Sequence, residues 1–363
     1  MGSKSKVLFC SVYYDKYDAS ATLPAKFSRM IDRSDIKEFV KDKLTVIKMH
    51  LGRNIGHSTI HPIYVKILVD KLKEYGAKNV YITDQTVKGA KARGYTEDYL
   101  GVPVVPSCGY TNKYYYEKYV DFRTFKNVDV AGHIHDAEAM IVLSHVKGHG
   151  ACGYGGACKN IAMGCVTDRT RRQIHNLEGG LVWNEELCTH CELCISSCNH
   201  NANKFDDENK YRVVYDYCTF CQHCVKVCPQ GAIRMDDDRY RDFQTGMAIC
   251  TEEVLKVFDS KNVSYINFLT NITALCDCWG FTTPSLVPDI GIMYSKDIVA
   301  IEKASLDAIK VENLIMAGIP QGYELGTEGH LFQRLHHKDP FIQLEELEKR
   351  GLGTQEYEIE EIK

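Results

Sequence analysis

Apolar residues along the first third of the chain follow two different rhythms. LTVIKMHL (44–51) is a short, strand-like run. In HPIYVKILVDKLKEYG (61–76) the apolar positions return at helical spacing, with Ile63, Ile67, Leu68 and Leu72 on one face and Gly76 as a stop. AKNVYITDQ (77–85) is again strand-like, so the three runs read as a strand–helix–strand unit with parallel strands. GVPVVPS (101–107) and HDAEAMIVLSHVKG (135–148) add strands. Further along, MAICTEEVLKVFD (247–259) reads as a helix, and NVSYINFLTNI (262–272) and DIGIMYS (289–295) as strands. KDIVAIEKASLDAIKVEN (296–313) reads as a helix with Ile298, Ile301, Leu306 and Ile309 as its stripe.

These elements predict an α/β fold, an open and mostly parallel sheet with helices on both faces. Its domain is discontinuous, built from 1–180 and 240–340, with 181–239 inserted between its strands. Three domains in a row would leave 240–340 with too few elements for a core. Residues 341–363 are expected to be a charged C-terminal tail on the surface, helical over QLEELEKRGLG and then acidic.

The insertion carries the strongest chemistry. Cys188, Cys191, Cys194 and Cys198 form C-x2-C-x2-C-x3-C, and Cys218, Cys221, Cys224 and Cys228, followed by Pro229, repeat it. This is the spacing of a bacterial-type two-cluster ferredoxin, in which each run gives three ligands to one 4Fe-4S cluster and its fourth to the other. The expected sets are Cys188, Cys191, Cys194 and Cys228 for the first cluster. For the second they are Cys218, Cys221, Cys224 and Cys198. Zinc, the competing reading, has no use for the second C-x2-C step or the Cys-Pro ending. Asn199 stands where the second run has proline, which makes the first run the less regular.

Composition narrows the partners. The formal net charge is −4 with no basic block, so nucleic acid is not expected. Within 181–240, ten Asp/Glu against six Lys/Arg make an acidic segment suited to a low-potential electron donor or acceptor protein. No stretch nears the roughly twenty apolar residues of a membrane helix, and the N-terminus does not read as a signal peptide. Sixteen cysteines without such a signal point to a reducing, cytoplasmic and anaerobic setting rather than a disulfide framework.

Three constellations lie outside the insertion. SHVKGHGACGYGGACKNIAMGC (144–165) follows a strand. Its glycines let a ligand approach the backbone, and the N–H groups of a helix starting near Gly155 and Gly156 would cradle an anion. Lys147, Lys159 and Asn160 would hold an anionic small molecule, and His145 or His149 would move protons or bind metal. Cys152, Cys158 and Cys165 lie in the same loop. LCDCWG (275–280) places Cys276 and Cys278 on one face of a strand, as a further metal site, with Asp277 pointing elsewhere. Lys48, His50, His57, His61 and Asp84 stand at or beyond strand ends, where open α/β sheets bind ligands. Lys48 and Asp84 are expected to share a crevice with the glycine-rich loop.

The chain resembles the domain-of-unknown-function 362 family, in its ferredoxin-containing branch. The residues that carry the resemblance are IKMH (47–50), HPIYVKILVDKLKEYGAK (61–78), YITDQT (81–86) and LSHVKGHGACGYGGACKNIAMGC (143–165). The cysteine runs, YINFLTNITALCDCWG (265–280) and VPDIGIMYSKDIVAIEKASLD (287–307) complete it. The resemblance implies an α/β domain with an inserted two-cluster ferredoxin and implies no reaction. Asn199, Cys152 and Cys158 depart from the family pattern.

The expected function is iron–sulfur electron transfer. The chain would be an oxidoreductase passing single electrons from two 4Fe-4S clusters to a substrate or metal bound in the α/β domain. The alternatives are an electron carrier or assembly protein with no reaction of its own, and a metal-handling protein that uses the Cys276–Cys278 segment.

Overall fold

The computed structural model describes residues 4–363 apart from 15, 54, 199, 215–217, 219–221 and 236–238. Eight strands form one sheet: β1 (Ser5–Ser11), β2 (Leu44–Met49), β3 (Asn79–Asp84), β4 (Val104–Pro106), β5 (Ala139–His145), β6 (Val263–Leu269), β7 (Gly291–Ser295) and β8 (Tyr357–Glu361). Their spatial order is β8-β1-β7-β6-β5-β2-β3-β4. All neighbours are parallel except those of β7, which runs against β1 and β6.

The larger helices are α1 (Leu23–Arg33), α2 (Pro62–Glu74), α3 (Ala157–Gly164), α4 (Asp168–Asn176), α5 (Tyr240–Leu255), α6 (Ile298–Ala308) and α7 (Ile342–Lys349). The two-residue period of a strand divides the core between two faces. In β5, Ile141 and Leu143 join Phe27 and Met30 of α1 and Leu68 of α2. Met140 and Val142 join Ile161 of α3, Met247 of α5, Ile301 of α6 and Leu347 of α7 on the other face. Fully burying each such side chain stabilises the fold by about 1.5–3 kcal/mol.

Local signals set the helix ends. The His61 ring accepts from the Ile63 N–H, Pro62 opens α2, and Gly76 at φ +79° follows its end. The inward stripe of α2 is Val65, Leu68, Val69 and Leu72, while Ile63 is exposed. The stripe expected from Ile63 is therefore displaced, because the face that meets the sheet begins at Val65. In α6, Asp297 caps the Val299 and Ala300 N–H groups at 2.8 and 2.9 Å, and Ile298, Ile301, Leu306 and Ile309 are all buried.

Beyond the strands read from the apolar pattern, the sheet gains β1 and β8. β1 lies inside the sheet between β7 and β8. The segment expected as a charged tail supplies α7, which buries Ile342, Leu344 and Leu347, and the edge strand β8. Glu360 of β8 pairs with Lys6 and with Arg33. A charged edge of this kind discourages pairing with another chain.

Between α4 and α5 the chain leaves the sheet. Leu181–Trp183 pairs antiparallel with Ile233–Met235, so the segment departs and returns side by side. A second small ribbon, Asn203–Phe205 with Tyr211–Val213, lies within it. Its small core gathers Cys194, Tyr211, Cys224 and Ile233. No helix among the described residues is long and apolar enough to cross a membrane.

Candidate functional site

Lys48 is the penultimate residue of β2, on the face that meets α3, and its side chain is fully buried. Its ammonium donates to Asp84 Oδ1 at 3.1 Å and to Asn160 Oδ1 at 2.6 Å. Asn160 in turn donates to the Leu143 carbonyl and to Ser144 Oγ, both at 3.0 Å. Gly164 makes room for this network: a Cβ there would lie 2.2 Å from Lys48 Nζ and 2.7 Å from Asp84 Oδ1. Burial alone would push the Asp84 carboxyl up. The Lys48 ammonium and His50 outweigh it and hold the group well below the usual carboxylate range.

Asp84 Oδ2 also holds His50 Nδ1 at 2.9 Å and accepts the Leu51 N–H at 3.1 Å. His50 Nε2 is buried with no hydrogen-bond partner among the described residues. Desolvation lowers the His50 pKa more than Asp84 raises it. A ring oriented by a carboxylate, with its second nitrogen free, is equipped to bind a metal or move a proton.

The second constellation centres on Asp277, which lies in the single turn Asp277–Trp279. Asp277 Oδ2 is 2.9 Å from His145 Nδ1 and 3.1 Å from Lys147 Nζ, and Oδ1 accepts from Ser58 Oγ at 2.8 Å. Burial raises this carboxyl, but Lys147 and then His145 outweigh it and hold it well below the usual range. His145 Nε2 faces the Thr270 and Asn271 carbonyls at 2.9 and 3.1 Å. Both His145 nitrogens therefore face acceptors, an arrangement that leaves neither free to ligate a metal as expected. Among the described residues of this cleft, the imidazole nitrogen without a partner is His50 Nε2.

The cleft between the two constellations is lined by His50, Arg53, Lys147, Lys159, Arg171 and Cys278, among others. Lys147 pairs with Asp277 and Arg171 with Asp168. Lys159 has no carboxylate within 4.0 Å among the described residues, and its ammonium reaches Cys276 Sγ at 4.0 Å. Desolvation, then the Lys147 ammonium, pushes Lys159 down to about 7. A cleft this rich in cations suits an anionic ligand.

The glycine-rich loop folds as a ribbon, Lys147–His149 against Gly153–Gly155. Gly148 presses against the segment that precedes Cys276: a Cβ there would lie 2.3 Å from the Ala274 carbonyl oxygen. The loop does lead into α3 at Gly156, but the first N–H of that helix, on Ala157, donates to the Glu302 carboxylate. One N–H of the anion cradle expected there is thus taken by the protein's own side chain, while Gly156 itself lines the cleft described above. Burial raises Glu302 to about 7. Burial likewise raises Cys152 and Cys165 to about 12 and Cys158 further, so these thiols stay protonated in the core.

Cys276 and Cys278 do not share a strand face. They flank Asp277 and are joined by a disulfide. The scarcity of disulfides expected from a reducing setting thus has a local exception. His149 lies beside this pair rather than in the cleft lining, and donor atoms of His149, Cys276 and Cys278 lie within 4.8 Å of one another. Desolvation, then Lys159, holds the His149 pKa well below its usual value.

In the segment between α4 and α5, Cys188, Cys191, Cys194 and Cys228 line one cavity with Phe205, Pro229 and Ile233 among its walls. The two cysteine runs are built alike. Glu192 and Gln222 are left-handed at φ +59° and +63° before short helices that bear Cys194 and Cys224. The closing cysteines accept N–H groups from four residues on, Cys198 from Ala202 at 3.3 Å and Cys228 from Ala232 at 3.2 Å. Cys224 is buried and Cys218 half-buried, whereas Cys221 lies outside the described residues. The second short helix packs on the α/β domain: the His223 ring lies 4.2 Å from that of Trp279, the residue after Cys278.

Of the strand-end residues, Lys48, His50 and Asp84 meet in one network, while His61 caps α2 and the backbone of His57 bonds to Thr282 Oγ1. Sequence reasoning passed over Asp277, Arg53 and Arg171. Asp277 was discounted by a strand geometry that the turn does not have. The arginines carried no motif, and only the fold brings them to the cleft.

Comparison with known proteins bears on the family. No curated protein matches the chain. Two solved structures are similar: the lactate racemase apoprotein of Thermoanaerobacterium thermosaccharolyticum (12% identity, TM-score 0.33) and a protein of Thermotoga maritima (9% identity, TM-score 0.38). The first match covers 72% of this chain and 50% of the other, the second 70% and 52%, so this chain spans about half the length of each. Residues 45–307 match the family model described as domain of unknown function (DUF362), and the chain belongs to that family.

Proposed function

We propose that this chain is an iron–sulfur electron-transfer protein, and an oxidoreductase whose substrate or metal binds in the cationic cleft at the strand ends. The observation that carries the reading is the cavity shared by Cys188, Cys191, Cys194 and Cys228, three thiols from one run and the last of the other. That donor set suits a 4Fe-4S cluster. Cys198, Cys218, Cys221 and Cys224 would hold the second cluster by the same spacing. Such clusters supply one-electron chemistry.

The rest of the reading concerns this chain's own side chains. Lys159, Arg53 and Arg171 would bind an anionic group, with Lys147 turned to Asp277. His50, oriented by Asp84, would move a proton through its free Nε2. His223 and Trp279 lie in contact between the second cysteine run and Cys278, on the side from which electrons would reach the cleft. The acidic cysteine-rich segment would meet a low-potential electron donor or acceptor protein.

Anaerobically purified wild type, C228S and C198S test the cluster assignment. Each variant should lose about half of roughly eight irons and a matching share of acid-labile sulfide. Unchanged iron in both variants would sink it. Replacement of Lys159 and Arg53 together, which leaves the Lys147–Asp277 pair intact, should leave iron unchanged and weaken anion binding in the cleft.

A further inference from the structure

We propose that His149, Cys276 and Cys278 form a mononuclear soft-metal site that exists only while the Cys276–Cys278 disulfide is reduced. The inference deepens the proposed function, since it names a metal at the strand ends, and it rests on that reading only for the physiological source of electrons. The side chains come from two separate loops, the ribbon after β5 and the turn after β6, yet their donor atoms fall within 4.8 Å of one another. His149 is 6% exposed and Cys276 fully buried.

The fold holds the three in place. The Ala151 N–H donates to His149 Nδ1 at 3.2 Å, and Cys152 Sγ lies at the same distance from that nitrogen. Close packing at Gly148 fixes the ribbon against Ala274, two residues before Cys276. Asp277, between the cysteines, is tied to His145, Lys147 and Ser58. Lys159 Nζ stands 4.0 Å from Cys276 Sγ.

As a disulfide the pair offers no thiolate. Two electrons from a low-potential donor protein break the S–S bond and leave two thiolates. A divalent ion then forms two metal–sulfur bonds, and the two thiolates balance its charge. Two thiolates and an imidazole select zinc, nickel or cobalt over magnesium or calcium. Three protein ligands leave a coordination position open, as in catalytic rather than structural zinc sites. Cys278 lines the cationic cleft, so the open position would serve an anion bound there.

The test uses the full chain, purified anaerobically and incubated with zinc, with and without the disulfide reductant TCEP, then desalted. Iron, zinc and sulfide are measured together. The expected result is about one zinc per reduced chain, little in the untreated chain, and the same iron in both. H149A and the double variant C276S/C278S should each lose that zinc and keep their iron. X-ray absorption on the wild type supplies a readout that does not depend on variant folding, with two sulfurs at about 2.3 Å from zinc. No zinc in the reduced wild type, or zinc retained by either variant, overturns the inference while intact iron leaves the cluster reading standing. Zinc bound at this site in a chain without iron or sulfide supports the inference and removes the cluster reading.

Discussion

The carboxylate of Asp277 lies 3.1 Å from the Lys147 ammonium, and both side chains are almost wholly buried. The pair ties the turn between the two disulfide cysteines to the ribbon that carries His149. Removing one partner strands the other's charge without water. Asp277→Ala should therefore cost on the order of 3–5 kcal/mol in urea unfolding. Ser58→Ala, which removes one hydrogen bond to the same carboxylate, should cost only about 1–3 kcal/mol. Equal losses in the two variants would mean that the charge pairing is not what matters at Asp277.

Gly164 is a packing glycine. A methyl group there would strike the Lys48 ammonium and the Asp84 carboxylate. Gly164→Ala should destabilise the protein by roughly 1–3 kcal/mol through overpacking. Anion binding in the cleft should weaken along with stability, because Asp84 also orients His50. Unfolding and isothermal titration with a small dicarboxylate check the two effects separately.

The strands that approach the cleft were legible because their apolar runs are dense and end at polar residues. KMH at the end of β2, TDQ at the end of β3 and SHVKG at the end of β5 each announced a strand end. β1 and β8 were not announced: KVLFC is short, and YEIEE reads as a solvated acidic run until its pairing with β1 explains it. The cysteine runs declared themselves through spacing, which a cubane's geometry imposes on sequence. Asp277 did not, because its importance arises from a turn that turns it inward toward residues more than a hundred positions away. His50 was visible as a strand-end histidine, but only the Asp84 contact marks which of its nitrogens is free.

Glu302 sets a pH dependence with a definite sign. Burial raises it from an ordinary 4.5 to about 7, so the folded chain holds this proton more tightly than the unfolded chain does. Its contribution to stability is complete below about 4.5 and is lost as pH rises through about 7. At one pKa unit per 1.36 kcal/mol, the loss is on the order of 3 kcal/mol. Glu302→Gln keeps an oxygen for the Ala157 N–H and removes the titration. Its stability should change less than the wild type's between pH 5 and 8, on the order of a few kcal/mol less in matched urea titrations.

Contact between His223 and Trp279 predicts a route-dependent defect. Trp279→Leu should slow reduction of the Cys276–Cys278 disulfide when dithionite, a one-electron donor, is the reductant. Reduction by TCEP, which attacks sulfur directly, should keep its wild-type rate. Alkylation of the freed thiols followed by mass spectrometry measures both. Equal slowing with both reductants would point to altered access rather than electron delivery.

The central claim is that the two cysteine runs hold iron–sulfur clusters, and analysis of iron and acid-labile sulfide in anaerobically purified full-length protein tests it most directly. The account predicts about eight iron and eight sulfide per chain, with the dithionite-reduced protein paramagnetic at low temperature. About two zinc per chain without sulfide would contradict it.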